Sequence, residues 1–158
     1  MKKYFYFLSL LLVLTSCTEE IKFNNPAFQA LKDNDFWRAQ SYSAHIDTDG
    51  RVVIEGTLGF EKVSLQTASS GEKTYVLGVD AISKASYLNT LPAEVEGFST
   101  GTNIGDGLIV ITEYNTETNT ISGTFKFSAV NPEENNTEKS EVHFTEGVFY
   151  KVPLEPVQ

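Results

Sequence analysis

Groups able to do chemistry are few in this 158-residue chain, and one of them, the single cysteine Cys17, is set apart by its position. One thiol forms no disulfide within the chain and builds no thiolate metal cluster. The two histidines, His45 beside a turn and His143 on the polar side of a strand, lack the spacing of a metal-binding pair and read as surface residues. No Gly-x-Ser-x-Gly elbow, phosphate loop or dinucleotide fingerprint is present. Gly101, Gly105 and Gly107 gather around Asp106, but no helix follows whose N-terminus would hold an anion, so they read as loop glycines. Any two of the 21 acidic residues can meet at the separation of a glycosidase pair, and the spacing singles out none. The chain is therefore expected to be no enzyme: it shows no catalytic constellation and calls for no cofactor and no metal.

Around Cys17 the order of residues is informative. Met1-Lys2-Lys3 is basic, Tyr4 to Leu14 is almost wholly apolar, and Leu14-Thr15-Ser16-Cys17 closes the run before Thr18-Glu19-Glu20. That is the charged, apolar and cleavage order of a secretory signal. A membrane-spanning helix takes roughly 20 apolar residues, which this shorter run does not reach. Leu-Thr-Ser-Cys resembles the bacterial lipobox, and the resemblance implies cleavage before Cys17 and a diacylglycerol on its sulfur. Each buried methylene adds about 0.8 kcal/mol of membrane affinity, so two or three chains hold a protein stably. The organisation read from the chain is a signal peptide over 1-16, an acylated N-terminus and short tether over 17-26, and one domain over 27-158.

By resemblance to bacterial sorting rules, Thr18 in place of Asp points to the outer membrane. Thr18-Glu19-Glu20 also resembles the acidic tag of surface-displayed lipoproteins of the Bacteroidota, so display at the cell surface is preferred to a periplasm-facing orientation. Loss of Lys2 and Lys3 with the leader takes the formal charge from -9 to about -11. So acidic a surface repels phosphate backbones, which excludes nucleic acid as the expected partner. Pro132 to Glu138 is acidic and polar, and reads as a solvated loop rather than a calcium site, because it lacks spaced Asp/Asn ligands closed by a bidentate Glu.

About 140 residues remain to position these groups, enough for one core without staples. From Thr120 to Val130 the chain alternates without exception, with Ile121, Gly123, Phe125, Phe127 and Ala129 on one side. Period two predicts a strand with one buried face, and Gly123 in the apolar row predicts a bend or a close crossing. Leu108 to Tyr114, followed by Asn115 to Asn119, completes a hairpin. Arg51 to Phe60 forms a second hairpin through the Asp47-Thr48-Asp49-Gly50 turn, with Trp37 to Ile46 as its first arm. Further strands are predicted over Glu61 to Thr67, Thr74 to Asp80, Ala85 to Leu88 and Glu141 to Tyr150, the last with Val142, Phe144, Val148 and Tyr150 on one face. Asn25 to Asp35 reads either as a helix begun at Pro26 or as an edge strand turning at Asp33-Asn34-Asp35; the strand is preferred, since a meander then continues into Trp37. The expected class is all-β, an antiparallel meander forming a β-sandwich or partly open β-barrel.

Four aromatic residues are candidates for ligand contact. Trp37 and Phe36 can stack on a sugar ring or floor a cavity, although burial in the core is the preferred role of Trp37. Tyr42 and Tyr114, together with Tyr75 and Tyr87, can form an exposed platform. The layout Phe28-x-Ala30, Trp37-x-Ala39, Ile109-x-Ile111-Thr112-x-Tyr114, Thr120-Ile121-Ser122-Gly123-Thr124-Phe125-x-Phe127 and Gly147-x-Phe149 before Val152-Pro153-Leu154 resembles a family of Bacteroidota lipoproteins described only as a domain of unknown function. The resemblance spans nearly the whole mature domain and implies no activity and no site residue. The expected function is membrane attachment through the N-terminal lipid with a β domain that binds a partner protein or a small envelope ligand. A glycan-binding accessory module and a lipocalin-like carrier of an apolar ligand are the alternatives, the carrier without the usual Gly-x-Trp near its first strand.

Overall fold

The computed structural model describes residue 25 and residues 27–132 and 139–155; the leader, Cys17 and the acidic stretch 133–138 fall outside the described residues. Eleven strands follow one another without a helix among the described residues: β1 (Ala27–Lys32), β2 (Asp35–Arg38), β3 (Ser41–Ile46), β4 (Val52–Leu58), β5 (Glu61–Thr67), β6 (Thr74–Leu77), β7 (Lys84–Leu91), β8 (Glu94–Ser99), β9 (Asp106–Asn115), β10 (Thr120–Val130) and β11 (Glu141–Glu155). They pair as two antiparallel layers. One runs β2-β1-β11-β10-β9-β6 and the other is the meander β3-β4-β5-β7-β8. Hydrogen bonds join the layers at two corners: the end of β11 lies parallel to β3 through Leu154 and Ala44, and Val130 of β10 meets Ser99 of β8. The result is a sandwich closed at its corners, the all-β class that period two and short turns dictate.

Local chemistry accounts for the turns. Asp33 and Asn34 both adopt positive φ, 50° and 73°, which is the two-residue hairpin geometry that Asn and Asp tolerate best. Ala27 to Asp35 is accordingly strand and turn, Pro26 lying outside the described residues. At Asp47 the carboxylate accepts the backbone N–H of Asp49 and of Arg51 at 2.9 and 2.8 Å, folding the β3–β4 turn around Gly50. The arm expected over Trp37 to Ile46 is in fact two strands. Ala39 N–H donates to Phe28 and Gln40 N–H to Thr57, so the chain leaves one layer for the other between those residues.

Gly123 shows why the apolar row of β10 needs a residue without a side chain. A Cβ there would collide with the Val110 carbonyl oxygen and the Phe149 ring. The core between the layers is aromatic. Phe28, Trp37, Phe144, Phe127 and Phe125 form a closed circuit of ring contacts with centroids 4.8–6.2 Å apart. Tyr87, Phe98 and Phe149 extend it.

The face expected for β11 is corrected beyond Phe144. The register slips between Phe125 and Phe127 on the partner strand, and Glu146 takes φ 51°, the mark of a bulge. One extra residue flips the alternation, and a second irregularity, at Lys151 with φ 48° where the register slips again between Ile121 and Gly123, flips it back. Val142 and Phe144 point inward as expected, but it is then Phe149 and Val152 that are buried, while Val148 and Tyr150 turn to the outside.

Candidate functional site

At one end of the sandwich a carboxylate is drawn between the layers. Glu61, the first residue of β5, forms an ion pair with Lys32 of β1 and accepts Trp37 Nε1–H at 2.7 Å and Tyr87 O–H at 2.7 Å. Lys32 Nζ also donates to Tyr87 at 3.1 Å and lies 5.0 Å above its ring. Burial pushes the Glu61 pKa up, but the hydrogen bonds from Lys32 and Tyr87, the Lys32 charge and the Trp37 hydrogen bond outweigh it and hold the carboxyl below its ordinary value. Burial and the adjacent Glu61 carboxylate push the Tyr87 phenol far up, so it stays protonated and donates. Both oxygens of Glu61 are thus engaged by donors from three strands, β1, β2 and β7, which ties four strands together with its own β5. Such a group fastens layers; a general base needs a lone pair free for a substrate proton.

Asp33, in the β1–β2 turn, plays a similar part on β11. Its carboxylate accepts Lys139 Nζ at 2.6 Å and His143 N–H at 2.9 Å. Burial raises its pKa, and the Lys139 and His143 hydrogen bonds more than offset this, leaving it lowered. Nearby, His143 Nδ1 lies 3.0 Å from Ser128 Oγ, and His143 Nε2 lies 3.7 Å from Glu141. Hydroxyl, imidazole and carboxylate follow one another in the order of a nucleophile relay. However, 3.7 Å is beyond hydrogen bonding, so no third group orients the imidazole. The residues sit on a wet sheet face, where the His143 and Glu141 side chains are about half exposed. Ser128 and His143 are direct cross-strand partners, which accounts for their contact. Among the described residues no three His, Cys, Asp or Glu side chains gather as metal ligands.

A concave feature lies on the outside of the six-stranded layer. Phe36 and Arg38 of β2, Ala27 and Gln29 of β1, and Val148 and Tyr150 of β11 line a groove of about 720 Å³ that ends at Asn25. Strand register builds it: Gln29 pairs with both Arg38 and Val148, and Ala27 pairs with Tyr150, so these side chains stand on one face. Arg38 Nη1 reaches Gln29 Oε1 at 3.4 Å across the hairpin. Phe36 is 68% exposed, a large apolar group with water over most of it. A second groove of about 470 Å³, lined among others by Leu108, Val110, Thr124 and Lys126, shares Val148 with the first. The two make one trough across five strands.

The four aromatic candidates are not brought together. Phe36 lines the groove. Trp37, 2% exposed, takes the interior role preferred for it and not that of a ligand contact, its indole N–H committed to Glu61. Tyr75 and Tyr87 are corrected from an exposed platform to buried residues, at 5% and 4%. Tyr42 is half-buried on β3 of the other layer and packs against the core. Tyr114 is half-buried at the far end of β9, its backbone N–H donated to Glu72. Two participants went unassigned in the sequence. Tyr150 escaped because the β11 bulge reverses its face. Glu61 carried a readable sign: it shares parity with Val63 and Leu65, a carboxylate in an apolar row.

Comparison with known proteins agrees with both ends of this description. Residues 1–18 match the prokaryotic membrane lipoprotein lipid attachment site, a stretch whose only cysteine is Cys17. The protein is thus a membrane-anchored lipoprotein. No curated protein and no solved structure matches the chain. Residues 24–153, from just ahead of β1 to near the end of β11, match the domain of unknown function DUF6252, and the chain belongs to that family.

Proposed function

We propose that this lipoprotein is acylated at Cys17 and held in the outer membrane. Thr18-Glu19-Glu20 supports surface display, as in lipoproteins of the Bacteroidota, over a periplasm-facing orientation. Its β domain is a non-enzymatic binding domain for a partner protein or small envelope ligand, taken up in the groove beside Phe36. The groove itself carries this reading: about 720 Å³, largely apolar, with a 68% exposed phenylalanine at its edge. Uncovered apolar surface of this kind marks a recognition site. The non-enzymatic character is supported by Glu61 and Asp33, the carboxylates with lowered pKa among the described residues, each of whose oxygens already accepts an internal donor.

A glycan is the second reading, favoured by Phe36 and Tyr150 lining one groove with Gln29 and Arg38 among them, two rings to stack on sugars and polar groups for hydroxyls. An apolar carrier draws less support, since the aromatic circuit fills the space between the layers.

The test is to screen purified mature protein against glycans and envelope extracts, then repeat each hit with Phe36→Ala. A ligand that binds both proteins equally moves the site elsewhere. Turnover of any substrate in the same screen removes the non-enzymatic reading. Replacing Cys17 by Ala is expected to release the chain from membrane fractions, and retention there contradicts the lipid assignment.

A further inference from the structure

The groove and the tether meet. Asn25 lines the groove and β1 begins two residues later on its floor. From Cys17 to Asn25 is eight residues, and at no more than about 3.6 Å each the chain spans at most roughly 30 Å. Whatever fills the groove therefore lies close to the bilayer that holds the anchor.

The lining has the chemistry of that neighbourhood. In a chain of 21 acidic against 12 basic residues, the one charged side chain that lines the groove among the described residues is the cation Arg38. The adjoining groove holds one charge of each sign, Lys126 and Glu146. Arg and Lys stems cover apolar surface while their heads stay in the polar layer, and phenylalanine and tyrosine settle at the headgroup boundary. The opposite face of the sandwich differs. Outward residues of β4, β5 and β7 include Glu55, Lys62, Ser64, Gln66 and Ser86, with Lys62 and Glu55 paired at 2.7 Å. That layer is polar over its middle strands, with its exposed apolar groups, Leu88, Leu91 and Val95, gathered on β7 and β8 at its edge. An acidic domain tethered to anionic lipid is repelled on most sides and turns its cationic, apolar side inward.

We infer that the groove between Phe36 and Tyr150 seats the domain on the lipid headgroup surface of the membrane that carries its anchor, Arg38 meeting phosphate and Phe36 entering the acyl boundary. This rests on the groove being the recognition site and names its envelope ligand as lipid. The domain thereby lies down on its six-stranded layer and presents the polar meander outward.

Acylation of Cys17 leaves no free thiol, so one introduced cysteine is the sole site for a maleimide photocrosslinker. The experiment places it at Gln29→Cys in the groove or at Ser64→Cys on the opposite face, in the full acylated chain in native membranes, with the near-ultraviolet signal of Trp37 confirming the fold. The expected result is lipid adduct several-fold higher from position 29 than from position 64, lowered again when Phe36→Asp is added. Equal lipid adduct from both positions overturns the inference. Protein adduct from position 29 in place of lipid also overturns it, yet leaves the groove as a recognition site. Adduct of neither kind from position 29 removes both.

Discussion

Phe36 and Trp37 are neighbours on β2 and stand on opposite faces of the same layer, one 68% exposed and the other 2%. Inside, every demand is met: Trp37 touches Phe28 and Phe144 edge-on and gives its N–H to Glu61. Outside, apolar side chains line two adjoining grooves and Phe36 keeps most of its surface exposed. The contrast separates residues that hold the fold from residues that recognise something, within one strand.

Substitutions on the two faces are expected to differ in kind. The largest effect belongs to Trp37→Ala, which opens a cavity in the aromatic circuit and costs about 3–5 kcal/mol in chemical unfolding; a loss below about 1 kcal/mol would mean that the interior is not the supporting face. Next comes Glu61→Ala, which strands the Trp37 and Tyr87 donors and the Lys32 charge at a partly buried site. It is expected to cost about 1–3 kcal/mol, with Trp37 fluorescence reporting the lost hydrogen bond.

Smaller again is the acid sensitivity. Glu61 and Asp33 have pKa values lowered by folding from their ordinary 4.5 and 3.8, so their contribution is complete above those values and is lost as pH falls through the folded ones. Melting temperature is expected to fall below about pH 4.5, and the Glu61→Gln variant to show a shallower acid limb. A parallel limb would show that Glu61 stays unpaired in solution. Smallest is Phe36→Ala, expected to shift stability by no more than about 0.5 kcal/mol while abolishing whatever the groove holds. A large loss of stability there would erase the distinction between the faces.

Much of this architecture was legible residue by residue. The unbroken alternation from Thr120 to Val130 fixed which side of β10 is buried, and Asp33-Asn34 marked the turn that makes β1 a strand. β8 went unread because Glu94 to Ser99 holds two apolar side chains around a glycine, too weak a pattern for period two. Face assignments failed at the bulge, where Glu146 in the left-handed region shifts the alternation by one and hands Tyr150 to the groove. No local rule announces such a slip, since it is set by how β10 and β11 coil together. The Lys32–Glu61–Tyr87 cluster could be suspected from parity alone, as each of the three shares its side with buried residues. Its closure across four strands needed three dimensions.

β11 pairs with β1, with β10 and with β3, and so touches both ends of the strand sequence and both layers. It also follows all of them along the chain. Non-local ladders of this sort form late, because the intervening chain must first be gathered. The meander β3-β4-β5-β7-β8 and the β9–β10 hairpin pair through near neighbours in sequence, so β11 is the piece that closes what they leave open, joining β10 to β1 and the one layer to the other.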